Sequence, residues 1–328
     1  MKLIIQIPCF NEAATLPATL ADLPRALPGV DRVEWLVVDD GSTDGTADVA
    51  RAHGVDHIVR FPVNRGLATA FREGLRAALA HGADIVVNTD ADNQYRAEGI
   101  PLLVAPILEG RADIVIGDRQ IWRHAEFGFV KKMLQKLGSW VIGRLAGTPV
   151  PDATSGFRAL SREAALRLNV LTDYTYTQET IIQAGQHHLG IVSVPIAVNR
   201  ATRPSRLFRS IPFYIRRSLA TMVRIYTLYR ALRVFTLLAL VPFVLGMALG
   251  IRYLVYYFIS GSLSGHIQSL IFSAVLLNLS FLLFVLGLLA DLIGFNRRLI
   301  EEILVHTRRE ALGRTEAPQP PRGERSCE

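Results

Sequence analysis

The sequence predicts an α/β domain on a mostly parallel sheet, followed by an amphipathic interfacial helix and two transmembrane helices. Three observations carry this. Over the first 120 residues, short β-rich runs alternate with helical patterns, as βαβ units do. After residue 230 come two long apolar stretches, each exceeding the roughly 20 residues that a helical span needs. Between Glu179 and Asp291 there is no acidic residue, yet ten arginines fall there, so the net charge of +7 belongs mainly to the second half.

The runs are Leu3 to Ile7, Trp35 to Val38, Ile58 to Phe61, Ile85 to Asn88 and Ile114 to Ile116. Helical patterns at Thr15 to Leu27, Thr43 to His53 and Ala68 to His81 alternate with them. Leu3 to Ile7 is too short for the apolar core of a secretory signal and reads as a first strand. Polar clusters follow the strand ends at Asn11, Asp39 to Asp44, Asn64 to Gly66 and Asp90 to Gln94, the edge where open α/β sheets bind ligands. Further on, a basic helix is expected near Lys131 to Leu145, a polar loop at Asp152 to Arg158, a helix around Glu179 to His187 and a strand at Ile191 to Val198.

Leu207 to Leu232 mixes aromatic and aliphatic residues with arginines, the composition of a helix lying in a membrane interface. Leu232 to Phe258 and Ile267 to Ile293 read as a transmembrane hairpin. Arg230 and Arg233 precede it, Arg297 and Arg298 follow it, and its connecting loop has no Lys or Arg, which predicts both ends in the cytoplasm. Arg252 is expected to snorkel to the outer interface. The expected division is an α/β domain over 1–206, a juxtamembrane helix over 207–231, the hairpin over 232–293 and a cytoplasmic, partly disordered tail over 294–328.

Several function classes are set aside. The basic region lacks nucleic-acid motifs and an aromatic-rich groove, so no nucleic acid is expected. Cys9 and Cys327 lie near opposite ends and suggest neither a disulfide framework nor a metal cluster. No Gly-x-Gly-x-x-Gly follows the first strand, against a nicotinamide dehydrogenase.

The clearest chemical signal is Asn88-Thr89-Asp90-Ala91-Asp92-Asn93-Gln94, an Asp-x-Asp pair ending an apolar strand. Two adjacent carboxylates suit a hard cation such as Mg²⁺ or Mn²⁺ that shares them with substrate phosphates and water. Together with Ile7-Pro8-Cys9-Phe10-Asn11-Glu12 and Val37-Val38-Asp39-Asp40-Gly41-Ser42-Thr43-Asp44-Gly45-Thr46, this run resembles the GT-A type nucleotide-sugar domain of family 2 glycosyltransferases. Gly117-Asp118-Arg119 and Asp152-Ala153-Thr154-Ser155-Gly156-Phe157-Arg158 resemble its polyprenyl-phosphate branch, which includes dolichyl-phosphate mannose synthase and bacterial polyprenyl-phosphate glucosyltransferases.

The resemblance implies that Pro8, Phe10, Glu12, Asp39, Asp90, Ala91 and Asp92 bind the nucleotide sugar. It implies that Asp90, Asp92 and Gln94 hold the metal and that Asp92, Asp152 and Arg119 are catalytic. Arg119, Arg123, Lys131, Arg203 and Arg206 are candidates for the acceptor phosphate, because guanidinium groups engage phosphate oxygens in pairs. Asp40, Ser42 and Asp44 are read instead as stabilising their loop, Arg158 stays open between a site role and a structural one, and Glu179 between reaching the sugar and lying on the surface. Gly117-Asp118-Arg119-Gln120 departs from the mannose-transferring pattern, which leaves the sugar open.

The implied reaction is an inverting, metal-dependent transfer from a UDP- or GDP-sugar to a polyprenyl phosphate, by an integral membrane enzyme able to form homo-oligomers. Two alternatives remain: a processive polysaccharide synthase, which usually has a Gln-x-x-Arg-Trp motif, whereas no Trp follows Trp140 here, and a non-catalytic membrane scaffold with the same fold.

Overall fold

Strands β1 (Lys2–Cys9) and β2 (Arg32–Asp39) are runs of Leu, Ile and Val buried on both faces, as central parallel strands require. The computed structural model describes residues 1–120, 129–170, 176–199, 220, 223, 226–227, 230–260 and 267–313. Side chains of residues 129–131, 134, 260 and 298 are not described. The chain forms two compact units, residues 1–215 with 304–328, and residues 216–303.

In the first unit, α1 (Leu16–Asp22), α2 (Thr46–Ala52), β3 (His57–Arg60), α3 (Leu67–Ala80), β4 (Ile85–Asn88), α4 (Gly99–Leu108) and β5 (Ile114–Asp118) follow in turn. They continue into α5 (Phe129–Ala146), β6 (Arg158–Ser161), α6 (Arg162–Arg167), α7 (Tyr176–Gln186) and β7 (Ile191–Pro195). The seven strands make one sheet in the order β3-β2-β1-β4-β6-β5-β7. Only β6 runs antiparallel to its neighbours, so the sheet is mostly parallel, as expected. Register sets Cys9 opposite Asp39, Gln6 opposite Asn88, and Asn88 opposite Arg158. The carboxyl ends of β1, β2 and β4 therefore meet the segment that enters β6.

Helices cover both faces. Leu3, Ile5, Ile7, Val37 and Val87 pack with Leu16 and Leu20 of α1, Ala50 of α2, and Ile100 and Leu103 of α4. On the opposite face, Gly74 of α3 lies directly over Gln6, and Phe71 of α3 stacks on Tyr176 of α7 with ring centroids 3.9 Å apart.

Differences from the sequence expectation have local causes. The first helix ends at Asp22 rather than Leu27 because Leu23, which precedes Pro24, is extended (ψ 135°). Helix α4 is masked in the sequence by Pro101 and Pro106; the first stands in the opening turn, where no backbone donor is needed. β6 is four residues long, too short for a readable period. Most of the segment expected to form an interfacial helix, the hairpin loop at 261–266 and the tail from Arg314 lie outside the described residues.

The second unit contains α8 (Ala231–Ser260) and most of α9 (Ile267–Ala311), both long and apolar enough to cross a membrane. Its buried positions are mostly small: Ala239, Gly246, Ser273, Ser280 and Gly287. Ser273 donates to the Gly246 carbonyl (2.7 Å) and Ser280 to that of Ala239 (2.8 Å), the polar and close-packed contacts of membrane helix pairs. Leu237, Val241, Phe258, Phe272 and Phe281 face outward instead. The last turns of α9 belong to the first unit, where Arg308 donates to the Leu166 carbonyl of α6 (2.8 Å) and Arg309 pairs with Glu163.

One buried charge anchors the amino-terminal edge of the sheet. Glu34 of β2 receives Lys2 Nζ and Arg32 Nε (both 2.6 Å) and lies 2.8 Å from His57 Nε2. Burial alone raises the pKa of its carboxyl, but hydrogen bonds from Lys2 and His57 and the charges of Lys2 and Arg32 prevail and hold it below the ordinary value. A lowered pKa makes this contribution full above the unfolded carboxylate range, about pH 4.3, and lost as pH falls through the lowered value. Glu34→Gln should cost about 1–3 kcal/mol near pH 7 and progressively less in acid, read by denaturant unfolding across pH.

Candidate functional site

Asn88, the last residue of β4, is fully buried and ties three elements together. Its Oδ1 accepts from Gln6 Nε2 of β1 (3.0 Å), and its Nδ2 donates to the Gly156 carbonyl (2.9 Å) and to Tyr176 Oη (3.0 Å). The chain then turns through Asp90 to Gln94. Thr19 of α1 donates to the Ala91 carbonyl (2.9 Å), Gln94 N donates to Asp92 Oδ1 (3.1 Å), and Asn199 N donates to the Gln94 carbonyl (2.8 Å). Asn93 takes a left-handed conformation (φ 55°), which asparagine tolerates better than most residues.

Gly156 lies hard against this turn. A Cβ there would stand 2.9 Å from Tyr176 Oη and 3.3 Å from Asp90 Oδ1, so glycine is what allows the loop before β6 to approach. Its N–H donates to Tyr95 Oη (3.1 Å). Burial, reinforced by the Asp92 charge, pushes the pKa of Asp90 up to about 7 against the pull of Arg119. A cation shared by both carboxylates would remove that penalty. Among the described residues no cluster of three His, Cys, Asp or Glu could enclose a metal. Asp90 and Asp92, with Gln94 in the same turn, are oxygen donors of the kind that suits a hard ion sharing phosphate and water.

Beside this turn, the ends of β1 and β2 form a second group. Pro8 is buried, Phe10 is 40% exposed, and Glu12 is buried and accepts from Thr15 Oγ1 (2.5 Å). Asp39 is fully buried. Its Oδ1 accepts from Ser42 N (2.9 Å), while Oδ2 lies 3.3 Å from Arg60 Nε and has no hydrogen-bond donor. The Arg60 charge offsets part of the cost of burying this oxygen, which still lacks the hydrogen bond that an N–H donor could supply.

Asp40 is spent otherwise, accepting from the backbone N–H of Arg65 (2.6 Å) and Gly66 (2.9 Å) before α3. Ser42 accepts from Asn11 N (2.9 Å), and Asp44 accepts from Ala13 N and Thr46 N (both 3.0 Å). All three accept from backbone N–H groups, Asp40 and Ser42 in neighbouring loops and Asp44 in both a neighbouring loop and its own. Gly41 between them is left-handed (φ 73°), and a Cβ there would lie 2.5 Å from the Val63 carbonyl carbon.

On the other side of the Asp90 turn, Arg119 forms a two-pronged pair with buried Asp152 (2.7 and 2.9 Å) and donates to Thr154 Oγ1 (2.7 Å). Burial opposes ionisation of Asp152, yet the Arg119 charge and its hydrogen bonds hold the carboxyl below the ordinary value. A carboxylate so held is a weak proton acceptor and a good anchor. Gln120, next in the chain, is left-handed (φ 49°). Lys131 lies in α5, though its side chain is not described, and Arg123, Arg203 and Arg206 lie outside the described residues.

Arg158 is entirely buried and serves the loop. It donates to the carbonyls of Ala153 (3.0 Å), Ser155 (2.8 Å) and Thr177 (2.7 Å) and to Thr180 Oγ1 (2.7 Å). Burial pushes its pKa down to about 10. Glu179 is buried in α7, accepting from Gln183 Nε2 (3.1 Å), rather than on the surface. Of the positioning residues, Asn88 and Gly156 stand inside the two motifs with no role assigned to them there, and Tyr95 and Tyr176 lie outside both.

Residues 4–168 match the family model described as glycosyl transferase family 2. The chain belongs to that family. Among relatives, an uncharacterised protein of Methanocaldococcus jannaschii is 32% identical over 200 residues, 60% of this chain and 80% of its own. An undecaprenyl-phosphate mannosyltransferase of Micrococcus luteus is 32% identical over 206 residues, 60% of this chain and 83% of its own. Among solved structures, glucosyl-3-phosphoglycerate synthase of Mycobacterium tuberculosis, in complex with Mn²⁺, UDP-glucose and phosphoglyceric acid, aligns with a TM-score of 0.53 at 23% identity. That alignment covers 69% of this chain and 79% of the synthase, and it shows the shared GT-A like fold.

For this family 2 glycosyltransferase, the crowding at Gly156 gives a clean test. Gly156→Ala should displace Asp90 or Tyr176 and, at about 1 Å of misplacement, cost about 100-fold in turnover of the nucleotide sugar. Thermal unfolding should shift by only a few degrees, because the substitution removes no buried apolar group; equal turnover by the variant would show that the loop is not held to the Asp90 turn.

Proposed function

We propose that this glycosyltransferase moves a sugar, with inversion, from a UDP- or GDP-sugar to a polyprenyl phosphate at the cytoplasmic face of a membrane. The observation that carries the reading is the carboxylate pair Asp90 and Asp92, in the turn after the buried strand β4 of a chain with two helices of membrane-spanning length. The likeness to a mannosyltransferase acting on undecaprenyl phosphate supports the acceptor class. The solved synthase was captured with phosphoglyceric acid, so the fold admits more than one phosphate-bearing partner and does not choose between them.

Pro8, Phe10, Glu12 and Asp39 would hold the nucleoside, with Asp39 Oδ2 accepting from the base. Asp90, Asp92 and Gln94 would hold Mg²⁺ or Mn²⁺, which when bound supplies charge neutralisation to the departing nucleoside diphosphate. Ala91 belongs to the same turn, its carbonyl fixed by Thr19. Arg119, oriented by Asp152, would bind the acceptor phosphate, and Arg123, Lys131, Arg203 and Arg206 are the further candidates for it.

A phosphate monoester with a second pKa near 6 is largely ionised at neutral pH and attacks without a strong base. The lowered pKa of Asp152 agrees with that, giving it the role of aligning Arg119. Rate enhancement then comes from in-line positioning and from screening the repulsion between two anionic substrates. The basic flanks of the hairpin support an orientation with both ends in the cytoplasm.

The test is incubation of detergent-purified protein with UDP- and GDP-sugars, Mg²⁺ or Mn²⁺ and polyprenyl phosphate, with mass spectrometry of the lipid fraction. A metal-dependent glycosyl-phosphoryl lipid is expected, and Asp92→Ala should lower its formation about 100- to 1,000-fold without loss of folding. Donor hydrolysis with no lipid product would reject the acceptor assignment while leaving the donor site standing.

A further inference from the structure

Helix α5 has two unlike sides. Inward, Gln135 donates to Thr154 Oγ1 (2.6 Å), Ser139 Oγ accepts from Ala153 N (3.1 Å), and Ile142 is fully buried. Outward, Met133, Leu137 and Trp140 are 51%, 55% and 63% exposed. Their spacing of four and three residues aligns them in one stripe along the helix. Elsewhere among the described residues of 1–215, comparably exposed large apolar side chains stand singly, at Met1, Val63 and Leu102.

The stripe belongs to a strongly basic helix. Phe129–Ala146 contains Lys131, Lys132, Lys136 and Arg144 and no Asp or Glu. Trp beside aliphatic side chains with a cationic fringe is the chemistry of a headgroup layer, where apolar groups reach the acyl boundary and Lys or Arg meets anionic lipid. The same chain carries, mostly within residues 216–303, two helices of membrane-spanning length.

We propose that the outward face of α5 docks on an anionic bilayer surface, with Met133, Leu137 and Trp140 in the headgroup layer. This rests on the membrane reading above and adds a second point of contact. Because the inward face of the same helix holds the Asp152 to Thr154 loop, the site would stand about one helix diameter, roughly 10–12 Å, from the lipid surface. A lipid-borne phosphate could then reach Arg119 with its chain still in the bilayer.

The test uses the full chain in vesicles of phosphatidylcholine with and without phosphatidylglycerol, in a Cys327→Ser background that leaves only buried Cys9. An environment-sensitive fluorophore is placed by Leu137→Cys, by Arg111→Cys on the exposed surface and by Val241→Cys in α8. The Leu137 label should be quenched by headgroup-level nitroxide lipid and shielded from aqueous iodide. Shielding should be greater with phosphatidylglycerol and weakened by Arg144→Glu, while the Arg111 label is quenched by iodide alone.

Should the Leu137 label behave like the Arg111 label while Val241 still meets lipid quencher, α5 does not dock and the membrane reading survives. Should Val241 also escape lipid quencher, the membrane reading itself fails. Shielding of Leu137 from both quenchers, with energy transfer between labelled copies, would mean that a second chain covers the stripe and would overturn the proposal. As a label-free check, quenching of tryptophan emission by brominated lipid should fall in Trp140→Phe.

Discussion

Two carboxylates one residue apart at the end of a buried strand are the constraint on which the site depends. Asp90 and Asp92 repel each other, and burial adds to the cost of keeping Asp90 charged, which is why its pKa rises to about 7. Such a turn holds its shape only if its backbone is tied down on every side. Asn88 provides the root, bonded to β1, to the loop before β6 and to α7, while Thr19 and Asn199 fix the two ends of the turn. The sheet order places these partners together: β6, inserted antiparallel between β4 and β5, brings Gly156 against Asp90.

Opposite charges are arranged with the same economy of freedom. Arg119 and Asp152 lock each other in a two-pronged pair, so the guanidinium keeps one orientation while part of it remains exposed. Arg158 has no salt-bridge partner among the described residues, and carbonyls of the loop that it organises solvate its charge. Two arginines near one loop therefore do different work: one faces the site, and the other builds the loop that aligns it.

Much of this was legible in the sequence because parallel strands buried on both faces are continuous apolar runs, and the residues after them are turn formers. The Asp-x-Asp turn follows from local chemistry, and the Asp39 position from the family resemblance. The pairing of Arg119 with Asp152 does not, since it joins residues 33 apart and depends on where β6 enters the sheet. Arg158 reads as a surface charge as readily as a buried one until the carbonyls around it are known. Helix α4 was hidden by its two prolines, and the end of α1 by the reach of its apolar pattern past Pro24.

A divalent cation is expected to complete the carboxylate pair only when a nucleoside diphosphate shares it. Electron paramagnetic resonance of Mn²⁺ in the presence of the detergent-purified chain, with and without UDP or GDP, measures this directly. Weak binding by the protein alone and tight binding of one ion per chain with the matching nucleotide are predicted. Nucleotide binding of equal strength in EDTA, with no Mn²⁺ retained, would contradict the account.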